Sequence, residues 1–274
     1  MQKNNRSKWL TLPFAGWGLV FILVPLAMIF YYGLVDREGS FTLDNVAAIV
    51  QPEHLKALGL SLLLSLAATL ICILLAYPLA MILSKLGVNQ NSFIILIFIL
   101  PMWMNFLLRT LAWQTLLEKT GVINSLLQLL KLPTLNIINT PYAIIFGMVY
   151  NFLPFMVLPI YNSLVKLDQD VINAARDLGA NSVQTFIRVI FPLTLPGVVS
   201  GITMVFIPAL TTFVISNLLG GGKILLIGNV IEQEFTQAAN WNLGSGLSLA
   251  MMLFILISMV ISAAFDKEGE GGMF

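Results

Sequence analysis

The sequence has little charge, one cysteine and one histidine, and each shortage excludes a class of protein. Only 10% of its 274 residues are Asp, Glu, Lys or Arg, whereas about 25% is usual for a soluble domain. Because Cys72 is the only cysteine, a disulfide framework is impossible. Because His54 is the only histidine, a Cys/His zinc cluster is excluded too. We therefore expect neither a soluble domain nor an enzyme.

Six long runs contain no charged residue, and they indicate that the solvent of this chain is a lipid bilayer. The runs are 9–35, 57–84, 86–108, 132–165, 189–222 and 235–265. Each can hold a spanning helix of about 20 apolar residues. The runs are apolar throughout, which favours helices over the alternating strands of a barrel. We predict an all-α, polytopic protein with six transmembrane helices, at about 12–35, 57–84, 92–117, 141–163, 195–218 and 244–265.

The charges around the first span predict its orientation. Its apolar run is longer than the 7–15 residues of a cleavable signal peptide, so we expect it to be retained. Lys3, Arg6 and Lys8 precede this span and Arg37 follows it. Since cations concentrate in cytoplasmic segments, the N-terminus is predicted to be cytoplasmic. With six spans the C-terminus is cytoplasmic as well, and we expect 266–274 to be a disordered tail.

A short polar passage interrupts the apolar sequence between predicted spans four and five. Asp168 is a good N-cap for a helix, and Gly179 suits the left-handed position that ends one. Asn181 can cap a second helix, with Gln184 at the reciprocal position of a capping box. Pro192 is expected to end that second helix and begin the next span. The passage therefore predicts a pair of cytoplasmic helices.

The first helix of this pair carries an apolar stripe of small and medium side chains. Val171, Ala174, Ala175 and Leu178 recur at helical spacing. Small side chains suit a surface that another protein approaches closely, so the pair would be a docking knob. An amphipathic passage resting on lipid headgroups is equally compatible with these residues.

The passage resembles the EAA loop, through which permease subunits of type I ABC importers contact their ATPase. Ala174, Ala175, Gly179, Ile190 and Pro192 carry the resemblance. Asn173 stands where the family usually has glutamate, so a role for that carboxylate does not carry over. The resemblance implies the following ATPase-coupling residues: Asp168, Asn173, Ala174, Ala175, Arg176, Asp177, Leu178, Gly179 and Pro192.

Longer stretches resemble the permease subunits of spermidine/putrescine ABC importers. They are "FTLDNVAAI", "PMWMNFLLRTLAWQTLL", "VYNFLPFMVLPIYNSLVKLD" and "LLIGNVIEQEF". The resemblance implies an N-terminal segment with the first span and outer loop (1–56), a permease core (57–265) and a tail (266–274). It also implies a bacterial cell membrane location, a second permease subunit, two copies of a cytoplasmic ATPase and an external polyamine-binding protein. Nucleic acid is not an expected partner.

The stretch "LLGGGKILL" at 218–226 has the glycines and lysine of a phosphate loop but lacks its hydroxyl. Ile224 follows Lys223, where Ser or Thr would hold magnesium. We therefore expect a flexible outer loop here and no cofactor in this chain. The resemblance places ATP and magnesium on the partner ATPase subunits.

Arg109 is the one charged residue within a predicted span. Charged residues inside membranes are functional candidates, and a gate or an interhelical pair with the partner permease is one interpretation. A long arginine can also snorkel to the membrane surface. A third possibility is an importer of the same build that uses Arg109 to bind an anion.

A polyamine would meet no carboxylate in these spans, because none contains Asp or Glu. Trp103 and Tyr150 can offer cation–π contacts, and Asn105 and Asn151 can offer amide oxygens. Pro101 and Pro154 can free nearby backbone carbonyls. Helix packing or an interfacial aromatic belt is the alternative role of Trp103 and Tyr150. The lack of coupling carboxylates also argues against a secondary transporter, the main rival of another class.

Overall fold

The computed structural model describes residues 13–14, 16–86 and 102–270. Lys3, Arg6, Lys8, Pro101 and residues 92–100 of the predicted third span lie outside the described residues. So do residues 271–274 of the predicted tail.

The described residues form helices and a single isolated β-bridge, between Val35 and Phe41. The helices are α1 (Gly16–Gly33), α2 (Asp44–Ala47), α3 (Pro52–Lys85), α4 (Phe106–Leu117), α5 (Val122–Leu129), α6 (Pro141–Val165), α7 (Gln169–Asp177), α8 (Ser182–Thr211), α9 (Val214–Leu219), α10 (Ile227–Thr236) and α11 (Trp241–Glu270). The expectation of an all-α fold is confirmed.

Five of these helices are long and apolar enough to cross a membrane: α1, α3, α6, α8 and the Trp241–Val260 part of α11. They correspond to predicted spans one, two, four, five and six. The third predicted span is not a single helix, because Met104 and Asn105 are not helical and α4 begins at Phe106. The Asn105 side chain accepts hydrogen bonds from the backbone N–H groups of Leu107 and Leu108, so it starts a new helix here.

Two further expectations about helix ends are wrong. Pro192 does not end a helix, because α8 runs without a break from Ser182 to Thr211. A π-helical turn, Phe186–Ile190, ends two residues before the proline, and such local adjustments satisfy the backbone groups that a proline frees. Residues 266–270 of the predicted tail are not disordered, because α11 continues to Glu270.

The chain divides into two compact units. One contains the residues up to Lys56 together with Val230–Ile255, and within it Gly33 of α1 lies directly against Leu249 of α11. The other contains Ala57–Asn229 and the residues from Leu256 onward.

The core of the second unit is built on α6 and α8, which pack along each other. Two glycines one helical turn apart on α8 permit this. A methyl group on Gly201 would lie 2.6 Å from Met156 Sδ, and one on Gly197 would lie 2.6 Å from the Pro159 carbonyl oxygen. Small residues at this spacing allow helix backbones to approach closely in a membrane. The α6–α8 contact therefore fixes the base from which α7 and the start of α8 project.

Candidate functional site

The passage between α6 and α8 has the caps that the sequence predicted. Asp168 Oδ1 accepts a hydrogen bond from Asp170 N at 2.9 Å, which caps α7. Gly179 has φ +84°, a left-handed conformation that suits glycine. Asn181 and Gln184 form a reciprocal capping box at the start of α8. Because its ends are defined by these bonds, the passage is a folded helix pair, comprising residues 168–185.

The apolar stripe of the helix pair faces away from the rest of the chain. Val171 and Ala174 are exposed, Ala175 is half-buried, and Leu178 is 89% exposed. Asn173, Arg176 and Asp177 are exposed as well. Such an exposed leucine at the tip of a folded element is an apolar group that burial by a partner would stabilise.

The helix pair is anchored to the second unit by side chains that the sequence analysis did not single out. Ile172 is the buried residue of α7, and α7 packs against the π-helical turn. Leu167 and Phe186, on either side of the pair, pack against the hydrophobic core. Ile172 lies next to Val171 of the predicted stripe but falls outside the i, i+3, i+4, i+7 spacing that defined it.

Tyr77 of α3 meets the base of the helix pair. Its hydroxyl lies 2.6 Å from Thr194 Oγ1 in a buried hydrogen bond. Its ring makes an edge-on contact with Phe186 at 5.4 Å between centroids and lies 5.8 Å from the ring of Phe191. A residue 117 positions away in the sequence therefore joins the start of α8, and no local pattern predicts such a contact.

Arg109 lies inside the second unit and is 6% exposed. Its guanidinium carbon lies 5.7 Å from the centroid of the Tyr150 ring, a cation–π distance. Trp113 and Phe146 surround the same ring, at 5.1 Å and 6.5 Å from its centroid. The i, i+4 pairs Arg109/Trp113 and Phe146/Tyr150 could have indicated this aromatic cluster. The guanidinium is therefore buried among the described residues, beside the Tyr150 ring.

Asn151 is next to this cluster and is 1% exposed. Its Nδ2 donates to the Gly147 carbonyl at 2.8 Å and lies 3.5 Å from Thr110 Oγ1. Its Oδ1 has no hydrogen-bond partner among the residues that the structure describes. Arg109, Tyr150 and Asn151 are thus brought together between α4 and α6.

The other two predicted path residues are at the beginning of α4. The carboxamide oxygen of Asn105 is used to cap this helix. Trp103 is 77% exposed, so it is not buried by the residues that the structure describes. Contacts among the described residues thus bring Arg109, Tyr150 and Asn151 together, and the role of all five residues in a path stays a prediction.

Both ends of the glycine-rich stretch at 218–226 are held in place by buried residues. Leu219 and Leu226 are fully buried. The side chain of Asn229 accepts hydrogen bonds from Leu226 N and the Ser216 hydroxyl and donates to Asn217 Oδ1. This buried amide holds both ends of the stretch, and the flexibility of the outer loop between them stays a prediction.

The chain matches the family described as "Binding-protein-dependent transport system inner membrane component" over residues 4–268. It is also similar to the spermidine/putrescine transport system permease protein PotB of Salmonella typhimurium strain SL1344. The two are 39% identical over 280 residues, which cover 97% of this chain and 98% of that protein.

Solved structures show the same fold. A bacterial ABC transporter involved in the import of the acidic polysaccharide alginate aligns with a TM-score of 0.72 and 17% identity, over 97% of this chain and 98% of that one. A bacterial alginate ABC transporter in complex with a pentasaccharide-bound periplasmic protein aligns with a TM-score of 0.70 and 17% identity, over 96% and 95%. The family match and the apolar helices make this a multi-pass membrane protein. The chain belongs to the binding-protein-dependent transport system inner membrane components.

Proposed function

We propose that this chain is the transmembrane permease subunit of an ATP-driven importer of spermidine and putrescine in a bacterial inner membrane. The observation that carries the proposal is the 39% identity to a spermidine/putrescine permease over nearly the whole of both chains. The positive charges before α1 support a cytoplasmic N-terminus. The proposed topology counts the predicted third span as a crossing in addition to the five long helices, which places the helix pair and the C-terminus in the cytoplasm.

The helix pair is the proposed docking site of the ATPase. Its caps make it a folded projection, its stripe ending at Leu178 is exposed, and its base is attached to α6 and α8 through the core. These features favour a protein partner over a passage resting on lipid. Movement of the docked ATPase would pass through Leu167 and Phe186 into α6 and α8, and so change which side of the membrane the path opens to.

The proposed complex contains this chain, a second permease subunit, two copies of a cytoplasmic ATPase and an external polyamine-binding protein. ATP and magnesium would be bound by the ATPase subunits, because the 218–226 stretch lacks the hydroxyl of a phosphate loop. The external binding protein is supported by the similar alginate transporter, which was solved with its periplasmic protein. Selectivity for the polycation would be set mainly by the binding protein and the second permease, because the predicted spans here contain no carboxylate.

The path through this chain would begin with the exposed ring of Trp103, whose face can receive an ammonium group. The Tyr150 ring is in contact with Arg109, so a passing polyamine would have to compete with the guanidinium for that face. Arg109 and Asn151 would act at this point as a barrier rather than as a binding site. The burial of Arg109 also disfavours the alternative that it binds a transported anion.

Uptake by the reconstituted complex tests the proposal. The co-expressed subunits are placed in proteoliposomes with ATP on the cytoplasmic side and labelled spermidine, putrescine or alginate oligosaccharide, each with its binding protein, on the other. We expect ATP-dependent uptake of the polyamines alone. Uptake of the anion but not of the polyamines would support the alternative and refute the proposal.

A further inference from the structure

Tyr77 connects α3 to the base of the helix pair through a buried hydrogen bond. Its phenol oxygen lies 2.6 Å from Thr194 Oγ1 of α8. Its ring edge contacts Phe186, the first residue of the π-helical turn. The three side chains belong to the same compact unit.

The hydroxyl groups form a chain with a defined direction. Thr194 Oγ1 lies 2.9 Å from the Ile190 carbonyl oxygen and 3.1 Å from that of Phe191, so its one proton is donated back to its own helix. The Tyr77 hydroxyl must then donate to Thr194 Oγ1. The chain ends at Ile190, the last residue of the π-helical turn.

Both helices are weakened where they meet. A threonine that bonds back to the carbonyl four residues earlier bends a helix, and π-helical turns are frequent at functional sites. On α3, Pro78 follows Tyr77 within the helix and removes one backbone hydrogen bond. The Tyr77–Thr194 bond therefore joins two places where α3 and α8 can change their curvature.

We propose that Tyr77 is a positioning residue that transmits movement of the helix pair to α3. This inference rests on the proposed function, because it assumes that an ATPase drives the helix pair. When the ATPase moves the start of α8, the bond from Tyr77 to Thr194 makes α3 follow. The contact between the rings of Tyr77 and Phe186 keeps the two helices from sliding past each other. Without the bond, ATP hydrolysis continues but moves α3 less effectively.

The number of polyamine molecules taken up per ATP hydrolysed measures this coupling. Tyr77→Phe removes only the hydroxyl, and Thr194→Val removes its partner with nearly the same shape. We expect each to lower the ratio about fivefold, the change in an equilibrium that the loss of one buried hydrogen bond produces. Thr194→Ser keeps the hydroxyl and should keep the ratio. Tyr142→Phe, the same deletion on an exposed tyrosine of α6, is the matched control.

The double variant Tyr77→Phe/Thr194→Val should have the ratio of either single variant, because both remove the same bond. If Tyr77→Phe lowers abundance, Thr194→Val tests the bond from the other helix. A wild-type ratio in both single variants, or a double variant that multiplies their effects, would overturn the inference. A wild-type complex that hydrolyses ATP without importing polyamine would instead refute the proposed function.

Discussion

Leu178 offers the sharpest test of the docking surface, because its side chain is 89% exposed at the tip of the helix pair. Leu178→Ala removes three carbon atoms from a side chain that is almost fully exposed, so folding and abundance should stay unchanged. If the ATPase buries this side chain, the change costs about 2 kcal/mol of binding free energy at ~0.8 kcal/mol per buried CH₂ group. The dissociation constant should then rise roughly 30-fold.

The measurement is a titration of purified ATPase onto the permease pair in nanodiscs, read as the dissociation constant. Leu129→Ala is the matched control, since Leu129 is 79% exposed on α5 and we place that helix on the other side of the membrane. An unchanged dissociation constant in Leu178→Ala would refute the docking surface. So would an equal loss in Leu129→Ala, because the effect would then not depend on the helix pair.

Three further predictions concern the turn, the path and the topology. Gly179→Val should reduce ATPase co-purification, because a β-branched residue resists φ +84°; Gly179→Asn, which tolerates this conformation better, should retain most of it. Trp103→Ala should lower the rate of polyamine uptake at unchanged affinity of the binding protein, and full uptake would leave Trp103 as part of an aromatic belt. Lys223→Cys should react with an impermeant thiol reagent from outside, and Val183→Cys only after permeabilisation. The reverse labelling pattern would contradict both the topology and the coupling role.

The sequence alone was sufficient to predict the features that depend on residues close together in the sequence. Charge-free runs predicted the spans at α1, α3, α6, α8 and α11, because the cost of burying charge in lipid excludes other placements. The caps at Asp168 and Asn181 and the turn at Gly179 were predicted correctly, since each depends on residues within four positions. The alternative roles of the stripe at Leu178 could not be separated, because periodicity does not show what lies against a helix.

Helix ends inside the membrane were predicted less well. Pro192 was read as a stop, but in α8 the π-helical turn before it lets the helix continue. Asn105 was read as a polar group on the path, whereas its oxygen caps α4. In each case the residue has the conformational preference that the sequence analysis used. Whether a helix ends or begins there depended on how the backbone N–H and C=O groups next to it find hydrogen-bond partners.

Contacts between distant residues were decided by the tertiary structure. The charge-free windows singled out Arg109 from the sequence, but only the packing of α4 against α6 placed it over the Tyr150 ring and buried it. Likewise, nothing in the local sequence distinguishes Tyr77 from any other aromatic residue in a span. Its bond to Thr194 exists because α3 and α8 meet there. The physical reason is that hydropathy shows whether a helix lies in lipid or in water. Which side chain of another helix a given residue contacts depends on how the helices pack.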